Sequence, residues 1–598
     1  MSESLRKAVV RHVLPHVKEP ASYIGGEWNQ VNKDHAAVDL KVCLAFPDTY
    51  AIGMSHTGLH ILYGTINRRP DAVAERVFAP WPDMAQMLRA RGLPLYSLES
   101  FTPLCEFDIL GFSLQYEMSF TNVLTMLQLG GLPLRAADRG PADTLVIAGG
   151  PCALMPEPMA EFIDLFVVGD GEEVIHRLLD AFRSARATHL QTRTDLLREV
   201  VRRCPHVYAP VLYEVVYAAD GRVDCVRPRF PDVPPRIEAA VVADLNQAYY
   251  PDRPIVPYVE IVHDRITLEI MRGCPHRCRY CSAGWTRTPL RLRSVERLVE
   301  LAESSYRHTG YSEISLAALS SCDYPHLGDL VARLNERFAL RGVNLSLPSL
   351  RVDRKVVNLP PLLSVVRRSG LTLAPEAGTE RLRAVLGKQV SDEALFNGIE
   401  EAYRAGWTHV KLYFMVGLPT ERDEDIEAIV RLVLQAAALG RKSPRGRGGL
   451  NVTVAPFVPK AHTPFQWEAM APVERLEEIR RRLHDRLRGV SRRAGQHVVP
   501  KVHRIERSLL EAVFSRGDRR LAQVVHQAWK SGCQFDAWDE YFDFGKWLSA
   551  FREAGLDPDF YAHRQRGQHE ALPWDHLSAG TSREQLWQER ERAMAAAG

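Results

Sequence analysis

Short apolar runs alternate regularly with helix-length segments, and this alternation occurs twice along the chain. Leu40–Phe46 and residues 76–79, 108–114, 145–148 and 165–168 have strand length, while 58–67, 83–91 and 119–129 between them have helix length. Runs that stay apolar on both faces belong to strands covered on both sides, so the first series predicts a parallel, doubly wound α/β sheet. From Ile266 the pattern resumes as ITLEIM, EISLAAL, VNLSLPSL, LTLAPEA, HVKLYFMV and NVTVAPFV. Six such units are too few to close an eightfold barrel, and they predict an open, TIM-like (β/α)6 partial barrel.

The domain plan that follows has a polar leader over 1–37, an α/β domain over 38–186 and a connector over 187–262. The barrel then occupies 263–470, and a small, mostly helical C-terminal domain occupies 471–598. The connector is predicted from extended segments around the turn at Asp220 and Gly221 and from a Pro-rich stretch. RKSPRGRGG at 441–449 reads as a loop before the last barrel strand, and Leu476, Ile479, Leu483, Leu487 and Val490 keep helical spacing after it. With 76 Lys plus Arg against 73 Asp plus Glu, 46% apolar and 25% charged residues, the 598-residue chain is neither a polycation nor a disordered polymer. No run approaches the roughly 20 apolar residues of a spanning helix, so no membrane span and a cytoplasmic location are expected. Ten cysteines are too dilute for a disulfide scaffold, yet three of them fall within eight residues.

That cluster, GCPHRCRYC, places Cys274, Cys278 and Cys281 directly after the first barrel strand, at the strand end where barrel enzymes keep their chemistry. Three thiolates on one loop hold three irons of a 4Fe-4S cubane and leave the fourth iron open. The alternative is a zinc site with His276 as fourth ligand. The spacing, with Tyr280 before the last cysteine, resembles the CxxxCxxC signature of the radical S-adenosylmethionine superfamily. The resemblance implies that the open iron chelates S-adenosylmethionine, which the reduced cluster splits to methionine and a 5'-deoxyadenosyl radical. It also implies an electron donor of the flavodoxin or ferredoxin kind. Tyr280 and Glu376, the latter in LAPEAGTERLR, resemble the residues that such proteins set against the bound nucleoside; the plain reading of Glu376 is a helix N-terminal acid. GLPTE at 417–421 and APFVPKAHTPFQW at 455–467, with His462, also match strand-end segments of the superfamily, although Pro-rich loops need no catalytic explanation.

In the first α/β domain, PDTYAIG (47–53), GFSL (111–114), AGGPCALMPEP (148–158) and VVGDGEE (167–173) fall at expected strand ends. These segments resemble the cobalamin-binding domain that many radical S-adenosylmethionine enzymes carry before the barrel. That resemblance implicates Asp48, Tyr50, Gly53, Ser113, Gly149, Gly150 and Gly169 in cobalamin binding; tight turns and a strand-end cap are their plain roles. Tyr50 stands where the DxHxxG motif supplies a histidine to cobalt, and a phenol is a poor substitute at that metal. His56 and His60 lack the motif offset. The expectation is cobalamin without a histidine ligand, or a domain that keeps the fold and has lost the cofactor. Cys43, Cys105 and Cys152 are too widely spaced for the second cluster of methylthiotransferases and read as small buried thiols.

GFSLQYEMSFTNVL and LPWDHLSAGTSREQLW (572–587) further resemble a largely uncharacterised family of cobalamin-type radical proteins, some of which are followed by or fused to a second small domain; for this chain the resemblance implies a separately encoded small partner protein. The implied activity is methyl transfer to an unactivated carbon. Cyclisation or rearrangement stands as the alternative reaction, and a non-catalytic RNA- or ribosome-binding iron-sulfur factor as the alternative class. Between Arg480 and Arg507 ten basic residues face two acidic ones, Asp485 and Glu506. Such a stretch attracts RNA or a ribonucleoprotein, or is simply a solvated helix face.

Overall fold

The computed structural model describes residues 2–188, 190–347, 371–404, 407–441, 448–494 and 498–598. Leu40–Phe46 (β1), Ala72–Phe78 (β2), Ile109–Ser113 (β3), Leu145–Gly149 (β4), Leu165–Val167 (β5) and Val207–Tyr208 (β6) form one sheet in the order β2-β1-β3-β4-β5-β6. β1 to β5 are parallel and β6 is antiparallel. These strands are buried almost throughout, as apolar runs covered on both faces must be. Strand order reverses between β1 and β3, which puts the ligand crevice of a doubly wound sheet beyond their carboxyl ends.

β2 begins at Ala72, four residues before the expected run at 76. Glu75 and Arg76 interrupt the apolar pattern, but both are buried; Arg76 lies between Glu27 at 2.9 Å and Glu99 at 2.6 Å. Glu27 belongs to the segment expected as a leader. That segment packs into the domain instead, with Leu5, Val9, Val13 and Tyr23 in the hydrophobic core.

The second α/β unit is an open arrangement of two parallel sheets. Ile266–Glu269 (β7), Glu313–Ala317 (β8) and Asn344–Ser346 (β9) form the first. Leu371–Glu376 (β10), His409–Val416 (β11), Gly449–Pro456 (β12) and Val498–Val502 (β13) form the second. The expected count of six strands is therefore short by one, because Pro500 and Lys501 break the apolar run of β13. The helix Val473–Ala494, expected to open the C-terminal domain, is the crossover that delivers β13 beside β12, and its Leu476, Ile479, Leu483 and Leu487 are buried. Residues 348–350 of the third expected strand and 442–447 of the expected loop lie outside the described residues.

The helices that follow return to the first sheet. Trp81, just after β2, packs its ring 4.7 Å from Phe535 and 5.0 Å from Trp538, and Trp529 Nε1 donates to Thr125 Oγ1 at 3.1 Å. Leu577–Ser578 pairs in parallel with Ile237–Glu238 of the expected connector. No helix among the described residues is long and apolar enough to cross a membrane.

Candidate functional site

β7 ends at Glu269, and the chain turns at Gly273 into the cysteine loop. Gly273 has φ +99°, and a Cβ there would lie 2.6 Å from the Arg287 carbonyl, so only glycine fits this turn. Cys278 is buried, while Cys274 and Cys281 are half-buried. The loop is internally braced: Cys281 N donates to Cys278 O at 3.0 Å, and so does Trp285 Nε1 at 3.0 Å. Arg279 ties it to the segment after β10, donating from its backbone N to Leu386 O at 2.9 Å and from its guanidinium to Ala384 O and Val385 O, each at 3.0 Å.

Burial raises the pKa of the Cys281 thiol, and the charges of Cys278 and Cys274 raise it further. The three sulfurs therefore share one electrostatic neighbourhood, and a cationic iron centre would relieve the repulsion between their thiolates. Among the described residues no three His, Cys, Asp or Glu side chains converge as ligands of one metal ion. His276, the candidate fourth zinc ligand, commits its Nε2 to Asp323, which also accepts from Ser320 Oγ at 2.7 Å. The donor set fits a cluster bridging three spread thiolates better than a closed zinc site.

Glu376 closes β10 with φ +70° and is half-buried. Its Oε1 accepts from Tyr280 Oη at 2.9 Å and from Lys388 Nζ at 2.8 Å. Oε2 makes no protein hydrogen bond among the described residues. Two donors thus fix the carboxylate and leave one oxygen for a ligand beside the cysteine loop. Lys388 is an addition to the expected site, twelve residues from Glu376 across a helix, where no local motif marks it.

The residues expected at cobalamin divide into two groups. Asp48 accepts from Trp538 Nε1 at 3.0 Å, and Tyr50 donates to Glu27 Oε1 at 2.9 Å. A Cβ on Gly53 would strike the Phe78 ring at 2.3 Å, and one on Gly169 the Ala240 carbonyl at 2.2 Å. These four are occupied by internal packing. Ser113 and Gly149 are register partners at the carboxyl ends of β3 and β4, with Gly150 turning away at φ +98°. A Cβ on Gly149 would meet nothing closer than 3.9 Å. His60 hydrogen-bonds the Met54 carbonyl and His56 accepts from Leu59 N; burial pushes the pKa of each down to about 4.

The two units meet at Asp170, just past β5. Its carboxylate pairs with Arg291 and, at 3.1 Å, with Arg272, while Arg287 lies 3.8 Å away. All three arginines flank the cysteine loop. Burial would raise the Asp170 pKa, but Arg272 and Arg291 outweigh it and hold the group below the ordinary carboxylate range. Sequence separations of about a hundred residues hide this clamp from any local pattern.

Other expected segments hold the frame together. Glu421 of GLPTE accepts from Gly417 N at 2.8 Å, and burial pushes its pKa up to about 7. His462 is buried and donates to Leu154 O at 2.9 Å, joining the barrel to the turn after Gly150. In the basic stretch, Arg482 and Arg486 pair with Glu427 at 2.7 and 2.9 Å, and Arg480 pairs with Glu477 at 2.7 Å. Much of its positive charge is answered within the fold.

Residues 58–210 match the family described as radical SAM proteins, N-terminal, and residues 268–433 match the radical SAM superfamily. The second match starts inside β7 and includes the cysteine loop and Glu376. This chain belongs to the radical SAM superfamily. As a radical SAM enzyme it belongs among proteins that use a 4Fe-4S cluster and S-adenosylmethionine. An uncharacterised protein of Methanocaldococcus jannaschii is 27% identical over 518 residues, covering 86% of this chain and 97% of that protein. Among solved structures, the radical S-adenosylmethionine methyltransferase TsrM from Kitasatospora setae, with cobalamin and a 4Fe-4S cluster bound, matches with a TM-score of 0.46 at 14% identity. That match covers 70% of this radical SAM chain and 75% of TsrM.

Proposed function

We propose that this radical SAM enzyme uses cobalamin to transfer a methyl group to an unactivated carbon. The observation that carries the reading is the Asp170 clamp. It joins the carboxyl edge of the β1–β5 sheet to the flanks of the cysteine loop, so ligands at the two edges would face one another. Ser113 and Gly149 supply the open part of the first edge, where backbone can be approached closely. When bound, the cluster supplies an electron to S-adenosylmethionine and the corrinoid supplies the methyl group. The protein does the positioning: three cysteines fix the irons, Tyr280 and Lys388 hold Glu376, and Glu376 Oε2 is left to accept a nucleoside hydroxyl. With Tyr50 bonded to Glu27 and His60 to the Met54 carbonyl, cobalt would receive no imidazole from either. A low-potential donor of flavodoxin or ferredoxin type belongs to the same reading.

The test is anaerobic reconstitution with cobalamin, followed by gel filtration and absorbance. About one cobalamin per chain is expected for the wild type, and Gly149→Val should lose it while iron and sulfide stay unchanged. A wild type that retains none removes the cofactor from the reading. Imidazole nitrogen coupling in the Co(II) paramagnetic resonance spectrum refutes the histidine-free state.

A further inference from the structure

We propose that the substrate carries a multiply charged oxyanion group, phosphate or polycarboxylate, held by Lys411 and Lys501 on the inner face of the barrel. This rests on the radical SAM reading of the site and adds the class of molecule on which that site acts.

The strands of the second barrel sheet have two faces of opposite character. Val410, Leu412 and Phe414 of β11, Leu450, Val452 and Val454 of β12, and Val498 of β13 are buried in the hydrophobic core. On the opposite face Lys411 and Lys501 are exposed, Tyr413 is 38% exposed, and Thr372, Asn451 and Thr453 are half-buried. A closed barrel fills that interior with branched apolar side chains. Among the described residues this face is polar and open, which suits a polar ligand.

Register places the two lysines within reach of one molecule. Thr372 aligns with Lys411 and Lys411 with Asn451, while Thr453 aligns with Lys501. Lys411 and Lys501 are thus two strands and two residues apart, roughly 10 Å across the sheet and about 7 Å along it. Two lysine stems span that gap over β12. The same face continues up to Met415, which, like Tyr280 of the cysteine loop, packs against a separate hydrophobic cluster that includes Ala377, Leu418 and Phe457. Ala455, the register partner of Met415, is two residues beyond Thr453, again about 7 Å. An anion gripped by both ammonium groups would leave the rest of its molecule beneath Glu376 and the cluster loop.

Charge accounting gives the sign. Neither Lys411 nor Lys501 makes a hydrogen bond or ion pair among the described residues. The acids of the other barrel sheet are taken: Glu269 by Arg272 at 2.9 Å and Glu313 by Arg265 at 3.0 Å. Asp539, which lies in the field of Lys501, is held by Arg507 at 2.8 Å and Arg504 at 3.3 Å. On the neighbouring helix Val473–Ala494, by contrast, Arg482 and Arg486 are both paired with Glu427. Lysine here acts as a mobile point charge for an oxyanion rather than as a fixed bidentate fork.

Cluster-reconstituted full-length protein should be titrated calorimetrically with inorganic pyrophosphate and, separately, with citrate. Saturable binding of at least one is expected. The Lys411→Met/Lys501→Met double variant, changed only at exposed positions, should bind it at least tenfold more weakly. Lys530→Met, at an exposed helix end, should bind as the wild type does. Pyrophosphate alone assigns a phosphorylated substrate, and citrate alone a polycarboxylate. A cluster-loaded wild type that binds neither anion, or a double variant with undiminished affinity, overturns the proposal. Iron and sulfide content reports separately on the radical SAM site, since protein that assembles no cluster defeats that reading instead.

Discussion

Replacing Glu376 by Ala should weaken S-adenosylmethionine binding without dismantling the cluster. In the folded protein Oε1 is saturated by Tyr280 and Lys388 at 2.9 and 2.8 Å, which holds Oε2 in place as a preorganised acceptor. A hydrogen bond to a charged group contributes about 1.5 to 3 kcal/mol. At about 1.4 kcal/mol per factor of ten, its loss corresponds to a rise of roughly 10- to 150-fold in the dissociation constant. Tyr280→Phe removes only one of the two groups that hold the carboxylate and leaves Lys388 in place, so a smaller loss of affinity than in the Ala variant is expected. Equilibrium dialysis of labelled S-adenosylmethionine against reconstituted protein measures both, with iron and sulfide determined on the same samples. An Ala variant that keeps its cluster and binds within twofold of the wild type would show that Glu376 serves only the turn after β10.

Changing Cys274, Cys278 and Cys281 together to Ala should abolish the iron and sulfide of anaerobically purified protein, about four irons per chain in the wild type; stoichiometric zinc without sulfide in the wild type would refute the cluster. Glu421 carries a pKa raised to about 7 by burial, so the folded state holds a proton that the unfolded state releases near its ordinary value, and stability falls as pH rises from about 4.5 through 7. Glu421→Gln should therefore gain thermal midpoint over the wild type at pH 8 and little at pH 5, and a gain equal at both values would contradict the assignment. Asp170→Asn leaves buried Arg291 without its carboxylate and should destabilise the contact between the two units by about 3 kcal/mol, seen as a lower first thermal transition; an unchanged melting profile would show that the clamp does not hold them. Because Arg482 and Arg486 are both paired with Glu427, Arg482→Gln/Arg486→Gln should leave single-stranded RNA affinity at low salt unchanged, and a clear drop would return that helix to the nucleic-acid reading.

The alternation of apolar runs with helix-length segments determines both α/β units, because strands covered on two faces must be continuously apolar and that signal is local. The spacing of Cys274, Cys278 and Cys281 is local too, so the cluster loop, its place after β7 and the nearby Tyr280 are legible from the sequence alone. Tertiary structure decides whatever depends on partners far along the chain. β2 holds Glu75 and Arg76 in its middle because the segment before β1 supplies Glu27, and β13 tolerates Lys501 because that residue lies on its open face. Lys388 reaches Glu376, and Arg272 and Arg291 reach Asp170, only once helices and strands have been stacked. Composition shows a nearly balanced chain, but only the packing separates paired from unpaired charge. Periodicity reports which face of an element is buried; which residue meets which across that face follows from register and crossing, and those exist only in the folded molecule.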